Sequence, residues 1–252
     1  MTLHAESTGN GPDLVLLHGW GLHSGVWAEA VEALQSTHRV CTIDLPGHGY
    51  SVAAAGTFDE CVDAVAAHVP DDAAVCGWSL GGLVAQRLAA RHPAKVRRLA
   101  LVGSTPCFVE RGDWSHAMKP ATLEAFANGL QESRDETLAS FVRLNALHGV
   151  NGREAIRDFT RRLNERGQPS TAGLAASLRW LRDIDLRPSA ATIAAPTLVI
   201  HGARDTLAPI AAGRWLAATI PVATLHEIPG AAHVPFFTHR DLFVRALESF
   251  VA

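Results

Sequence analysis

The sequence predicts an α/β fold, with a mostly parallel central sheet flanked by helices and a helical insertion late in the chain. Two observations carry this. Short apolar runs of strand length recur along the 252 residues, and between them lie segments whose apolar positions repeat at spacings of three and four. Strands that alternate with amphipathic helices form parallel sheets covered on both faces. A third observation concerns Cys107 to Arg187, which carries helical patterns and no strand run. It reads as a lid, residues 107–187, set into a core of residues 1–106 and 188–252.

Taken in order, Leu14–Leu17 is a buried strand ended by His18-Gly19-Trp20-Gly21. Ser24–Leu34 is a helix with Val26, Trp27, Ala30, Val31 and Leu34 on one face. Val40–Ile43 is the next strand, closed by the turn-rich Asp44-Leu45-Pro46-Gly47-His48-Gly49. Phe58–Val69 is a helix, Ala73–Cys76 a strand, Leu83–Arg91 a helix and Leu99–Val102 a strand. Beyond the insertion come strand Thr197–Ile200, helix Ile210–Ala218 behind Pro209, and strand Thr224–Ile228. The last helix runs from Arg240 to Val251, with Thr238 as its expected N-cap and Asp241 three residues on.

Composition narrows the function classes. Hydrophobic residues make up 48% and charged residues 19%, which suits a globular protein with a sizeable core. A net charge of −3 gives no reason to expect nucleic acid or an anionic membrane as partner. No basic stretch followed by an apolar one suggests a secretory signal. The uncharged stretch Pro188–Ala203 contains two prolines and falls short of the roughly 18 apolar residues of a span. Cys41, Cys61, Cys76 and Cys107 lack CxxC spacing and suggest reduced, buried thiols, so a cytoplasmic protein is expected. No H-E-x-x-H or paired CxxC implies a metal, and Gly9-Asn10-Gly11 precedes a strand rather than following one. No cofactor is implied.

The chemistry is concentrated in Gly77-Trp78-Ser79-Leu80-Gly81, which fits G-x-S-x-G between a strand and a helix. The turn brings the residues two before and two after the serine together, so glycine is needed at both. The serine hydroxyl then stands clear of the sheet at a helix N-terminus, where the dipole favours developing negative charge. A neutral hydroxyl is a weak nucleophile and needs a base with an orienting acid. Such elbows are served by an acid and then a histidine further along the chain. Asp205, in His201-Gly202-Ala203-Arg204-Asp205, follows one strand, and His233, in Pro229-Gly230-Ala231-Ala232-His233, follows another. Three strand ends therefore deliver Ser79, Asp205 and His233 in the required order. The oxyanion donors expected are the Leu80 N–H at the helix start and the Trp20 N–H in the loop after the first central strand. His18, Asp44 and His48 read as loop-shaping groups.

These motifs resemble the α/β-hydrolase superfamily along the whole chain. More narrowly, Leu14–Leu22, Asp44–Gly49, Gly77–Ala85 and Ser104–Phe108 resemble the pimeloyl-[acyl-carrier protein] methyl ester esterases of biotin synthesis, the BioH family. The resemblance implies that Ser79, Asp205 and His233 form the triad. It also implies that Trp20, Trp78, Leu80, Phe141 and Asn145 line the acyl site. The implied substrate is a methyl ester carried by an acidic acyl-carrier protein. Arg143, Arg153, Arg157, Arg161, Arg162 and Arg166 outnumber Glu154, Asp158 and Glu165 between 143 and 166. Arg153, Arg157 and Arg161, spaced by four, share a helix face that is either a docking surface for that carrier or a solvated face with internal ion pairs. Other readings of the triad are a general short-chain carboxylesterase, a hydrolase of carbon–carbon bonds or lactones, or a slow-turnover ligand receptor. Serine at the elbow argues against dehalogenase and epoxide-hydrolase chemistry, which use aspartate there.

Overall fold

In the computed structural model, which describes residues 2–52, 56–146 and 152–252, a seven-stranded sheet forms the centre of the molecule. Its first strand, β1 (Ala5–Thr8), was not legible in the sequence, because all four residues are exposed and carry no apolar pattern. β1 lies at the sheet edge, antiparallel to the strand Arg39–Ile43. β2 (Asp13–Leu17) is buried from Leu14 onward, as expected of a strand covered on both faces.

A 3₁₀ turn over Ser24–Trp27 precedes α1 (Ala28–Leu34), so the expected single helix begins with a tighter turn. The His23 ring causes it by accepting the Gly25 N–H at 3.1 Å. β3 (Arg39–Ile43) and α2 (Phe58–Ala66) follow, the latter opened by a capping box between Thr57 and Glu60. β4 (Ala73–Trp78), α3 (Leu80–Arg91) and β5 (Val96–Val102) complete the first half.

The segment after Pro106 holds α4 (Pro120–Glu132), α5 (Arg134–Ala146), α6 (Gly152–Leu163) and α7 (Thr171–Asp183). Its opening is not helical. Isolated bridges join Val109 to Met118 and Arg111 to Trp114, and the Trp114 indole N–H donates to the Cys107 carbonyl at 2.9 Å. The two ends of the segment meet where the Leu186 N–H donates to the Pro106 carbonyl at 2.8 Å. Residues 147–151 of the expected lid lie outside the described residues.

The chain then returns through α8 (Arg187–Ala190), β6 (Thr197–Gly202), α9 (Ile210–Thr219) and β7 (Ala223–Ile228). It ends with α10 (Pro235–Thr238) and α11 (Arg240–Val251). The expected N-cap of α11 is corrected here. His239 occupies that position with no side-chain cap bond, while the Thr238 hydroxyl donates back to the Val234 carbonyl within α10. Pro235 starts this extra turn and removes Thr238 from the capping position.

The sheet order is β1-β3-β2-β4-β5-β6-β7, parallel except for β1. One core cluster joins the strands to the inserted helices through Phe126, Phe141, Phe159 and Leu174. All four cysteines are buried and free. Among the described residues, no helix is long and apolar enough to cross a membrane.

Candidate active site

The elbow is built by close backbone approach. Ser79 follows β4 with φ 54° and ψ −117°, a left-handed conformation that costs a non-glycine residue roughly 1–3 kcal/mol. A Cβ on Gly77 would overlap the Gly81 carbonyl, and one on Gly81 would overlap the carbonyls of Leu17 and His18. α3 begins at Leu80, so the Leu80 and Gly81 N–H groups have no intrahelical acceptor, while those of Gly82 and Leu83 donate to the Ser79 carbonyl at 2.9 and 3.1 Å. The Ser104 hydroxyl, in the loop after β5, donates to the Ser79 carbonyl at 3.0 Å and props the turn.

Asp205 and His233 arrive on the loops after β6 and β7. Their side chains meet at 2.7 Å, His233 Nδ1 to Asp205 Oδ2, and both residues are buried. The other carboxylate oxygen accepts the N–H groups of Leu207 and Ala208, each at 2.9 Å, which fixes its plane. The His233 backbone is held at both ends. Its N–H donates to the Asn145 carbonyl at 3.2 Å, and its carbonyl accepts the Trp78 indole N–H at 2.9 Å. Gly103 lies directly against the pair at φ +48°, where a Cβ would stand 3.0 Å from the His233 carbonyl and 3.3 Å from Asp205 Oδ2.

The expected lining residues Trp20, Trp78, Leu80, Phe141 and Asn145 are all buried. The Trp20 ring packs edge-on to Phe141 at 4.9 Å and against Phe126, and its indole N–H donates to the Leu174 carbonyl at 3.1 Å. Asn145 is buried and donates to the Phe141 carbonyl, and its side-chain oxygen has no partner among the described residues. Trp78 is buried among Gly19, Phe159 and Phe236. Arg153, Arg157 and Arg161 lie on α6, exposed and remote from Ser79 in sequence and element. Arg157 reaches Glu154 at 4.0 Å, and Arg161 reaches Asp158 and Glu165 at 3.6 and 3.8 Å.

Directly after β3, Asp44 accepts the N–H groups of Ser24 and Tyr50 at 2.7 and 2.9 Å. Burial pushes its carboxyl up, but neighbouring His18 and these two donors hold it below the usual carboxylate range. Burial lowers His18 to about 3 and His48 to about 4, so both rings are neutral at pH 7. His201 is likewise pushed down by burial. Its Nε2 donates to the Ala208 carbonyl at 2.6 Å and lies 3.6 Å from Asp205 Oδ2. Sequence reasoning assigned no role to Gly103, Ser104 or His201. The signal available for Gly103 was a glycine immediately after a strand that ends beside the site.

Residues 12–240 match the sequence profile of the α/β hydrolase fold. The chain belongs to the α/β-hydrolase family. Within that family it is 45% identical to the pimeloyl-[acyl-carrier protein] methyl ester esterase of Chromobacterium violaceum, over 98% of this chain and 97% of that one. It is 41% identical to the enzyme of the same name from Nitrosomonas europaea, over 98% and 99% of the two chains. Among solved α/β hydrolases, an esterase from Exiguobacterium antarcticum superposes with a TM-score of 0.90 at 23% identity, over 99% of this chain and 95% of that one.

Proposed function

We propose that this chain is a serine carboxylesterase that hydrolyses the methyl ester of pimeloyl-[acyl-carrier protein], releasing methanol, in biotin synthesis in the cytoplasm. The observation that carries the chemistry is the buried 2.7 Å contact between His233 and Asp205 at the same sheet end as the strained Ser79 elbow. The full-length relatives bearing that esterase name support the substrate.

In this reading His233 Nε2 takes the Ser79 proton as Oγ attacks the ester carbonyl, and Asp205 orients and stabilises the imidazolium. The N–H groups of Trp20 and Leu80 receive the oxyanion, each worth about 3 kcal/mol in the transition state. Methanol departs with the proton from His233, and water activated by the same imidazole releases the acid. Trp20, Trp78, Leu80, Phe141 and Asn145 wall the acyl chain, residues 107–187 act as its lid, and Arg153, Arg157 and Arg161 meet the acidic carrier.

Purified protein and its Ser79→Ala variant, each supplied with the carrier-bound methyl ester and with p-nitrophenyl butyrate, test this directly. Wild-type turnover of both esters and none by the variant is the expected result. Turnover by correctly folded Ser79→Ala would remove the mechanism. Turnover of the small ester alone would remove the carrier-bound substrate.

A further inference from the structure

His18 directly follows β2, at the start of the loop that carries Trp20, and both of its ring nitrogens are engaged. Nδ1 lies 2.7 Å from the Gly19 carbonyl, and Nε2 lies 2.9 Å from the Leu45 N–H. A carbonyl only accepts and an amide N–H only donates, so these partners fix the tautomer. Nδ1 carries the hydrogen and Nε2 the lone pair. Full burial keeps the ring neutral, as this arrangement requires.

The Gly19 carbonyl belongs to the same peptide unit as the Trp20 N–H. In a trans peptide these two groups point in opposite directions, and the described residues contain no cis bond. Pinning the carbonyl toward His18 therefore aims the Trp20 N–H the other way. Such a restraint is needed because Gly19, without a Cβ, opposes rotation of the Gly19–Trp20 peptide only weakly. Glycine is nonetheless required there, since a Cβ would stand 2.8 Å from the Trp78 ring. A hydrogen bond received at the carbonyl also polarises the N–H of its own peptide and makes it a stronger donor.

We propose that His18 is a positioning residue, which orients and polarises the Gly19–Trp20 peptide so that its N–H faces the ester oxyanion. This rests on the reading of the Trp20 N–H as an oxyanion donor. His18 touches no reacting atom and acts through the peptide alone.

Two substitutions separate its two bonds. In His18→Asn, the side-chain Nδ2 stands where Nδ1 stood and still donates to Gly19, while the Leu45 contact is lost. In His18→Gln, the side-chain oxygen reaches the Nε2 position and keeps Leu45, while the donor to Gly19 is lost. The readouts are kcat and KM on p-nitrophenyl butyrate, and the affinity of an alkyl trifluoromethyl ketone that forms a tetrahedral alkoxide on Ser79. His18→Gln should lose about 10- to 100-fold in kcat with KM within about twofold, and weaken the ketone by a similar factor. His18→Asn should recover most of both. Wild-type kcat and ketone affinity in His18→Gln, or equal losses in the two variants, would overturn the proposal.

The unaltered protein supplies an independent measurement. ¹⁵N-histidine NMR should find His18 protonated at Nδ1 and bare at Nε2 at pH 7, and the opposite tautomer would overturn the proposal even if both variants misfolded. A wild-type enzyme that a fluorophosphonate labels at Ser79, paired with a fully active His18→Gln, would sink this inference alone. Activity retained in Ser79→Ala would sink the esterase reading beneath it.

Discussion

Lowering the pH from 7 to 5 should destabilise the fold well before any carboxylate titrates, because buried imidazoles are held neutral beneath the active site. Folded His18 and His48 protonate only near 3 and 4, against an ordinary value of 6.5. Between those limits the unfolded chain binds protons that the folded chain refuses, so stability falls as pH falls. For each ring the loss from pH 7 to 5 is about 2 kcal/mol, or about 4 kcal/mol for the two, against a typical total of 5–15 kcal/mol. His23 and His201, also lowered by burial, act in the same direction. Asp44 has the opposite sign of charge. Its folded carboxyl lies below the usual range, so its contribution persists at pH 5 and is lost only as pH falls through that lower value. Urea unfolding followed by circular dichroism at pH 7, 6 and 5 measures the slope. His48→Asn supplies the attribution. It keeps a donor for the Pro46 carbonyl, 3.0 Å from His48 Nδ1, but cannot titrate. Its slope should be shallower by about 1 kcal/mol per pH unit. Stability that stays flat from pH 7 to 5, or an unchanged slope in His48→Asn, would refute the reasoning.

Asp205→Asn should fold and lose roughly 10⁴ in kcat, since the amide favours the wrong imidazole tautomer. Asp44→Asn, by comparison, should lower the melting temperature more than kcat, and the reverse ranking would assign the acid wrongly. In Gly103→Ala the left-handed backbone should cost about 1–2 kcal/mol of stability. The shift it forces on the His233–Asp205 pair should cost about tenfold in kcat, measured on p-nitrophenyl butyrate. Replacing Arg153, Arg157 and Arg161 together by Ala should lower kcat/KM for the carrier-bound ester about three- to tenfold at low salt. That loss should shrink toward 0.15 M salt, where the screening length is about 8 Å, with the small ester unaffected. Equal losses on both esters would leave these arginines as a solvated helix face, with their partners at 154, 158 and 165.

Buried parallel strands were the most legible part of the fold. Leu14–Leu17 and Leu99–Val102 are wholly apolar and appear where the sequence placed them, because strands covered on both faces write their burial directly into composition. β1 was missed for the converse reason, since an exposed edge strand has no apolar signature. β4 and β6 run on to Trp78 and Gly202, past the apolar runs that announced them, because pairing with β5 and β7 continues there. In the candidate site, Ser79, Asp205 and His233 were readable because strand ends and turn glycines mark them. The supports around them were not. Gly103 matters for what it leaves empty beside His233. Ser104 acts on a backbone carbonyl 25 positions away, and the Asn145 carbonyl holds His233 whatever side chain residue 145 carries. Contacts made by backbone atoms or by missing atoms leave no residue pattern to read.

The hydrogen bond from Leu186 to Pro106 makes the segment between them a closed appendage on the sheet. The sheet itself registers only that the chain leaves after β5 and returns before β6, whose residues pair from Leu99↔Thr197 to Val102↔Ile200. Closing a flexible loop becomes harder only logarithmically with length, by roughly 0.6 kcal/mol for each doubling. A segment of half or twice the length would therefore add little closure cost, and what ties its length to the core is side-chain packing and the Asn145 carbonyl on His233. A segment grafted between Pro106 and Leu186 would then have to resupply the carbonyl that Asn145 offers His233 and the ring that Phe159 lays against Trp78.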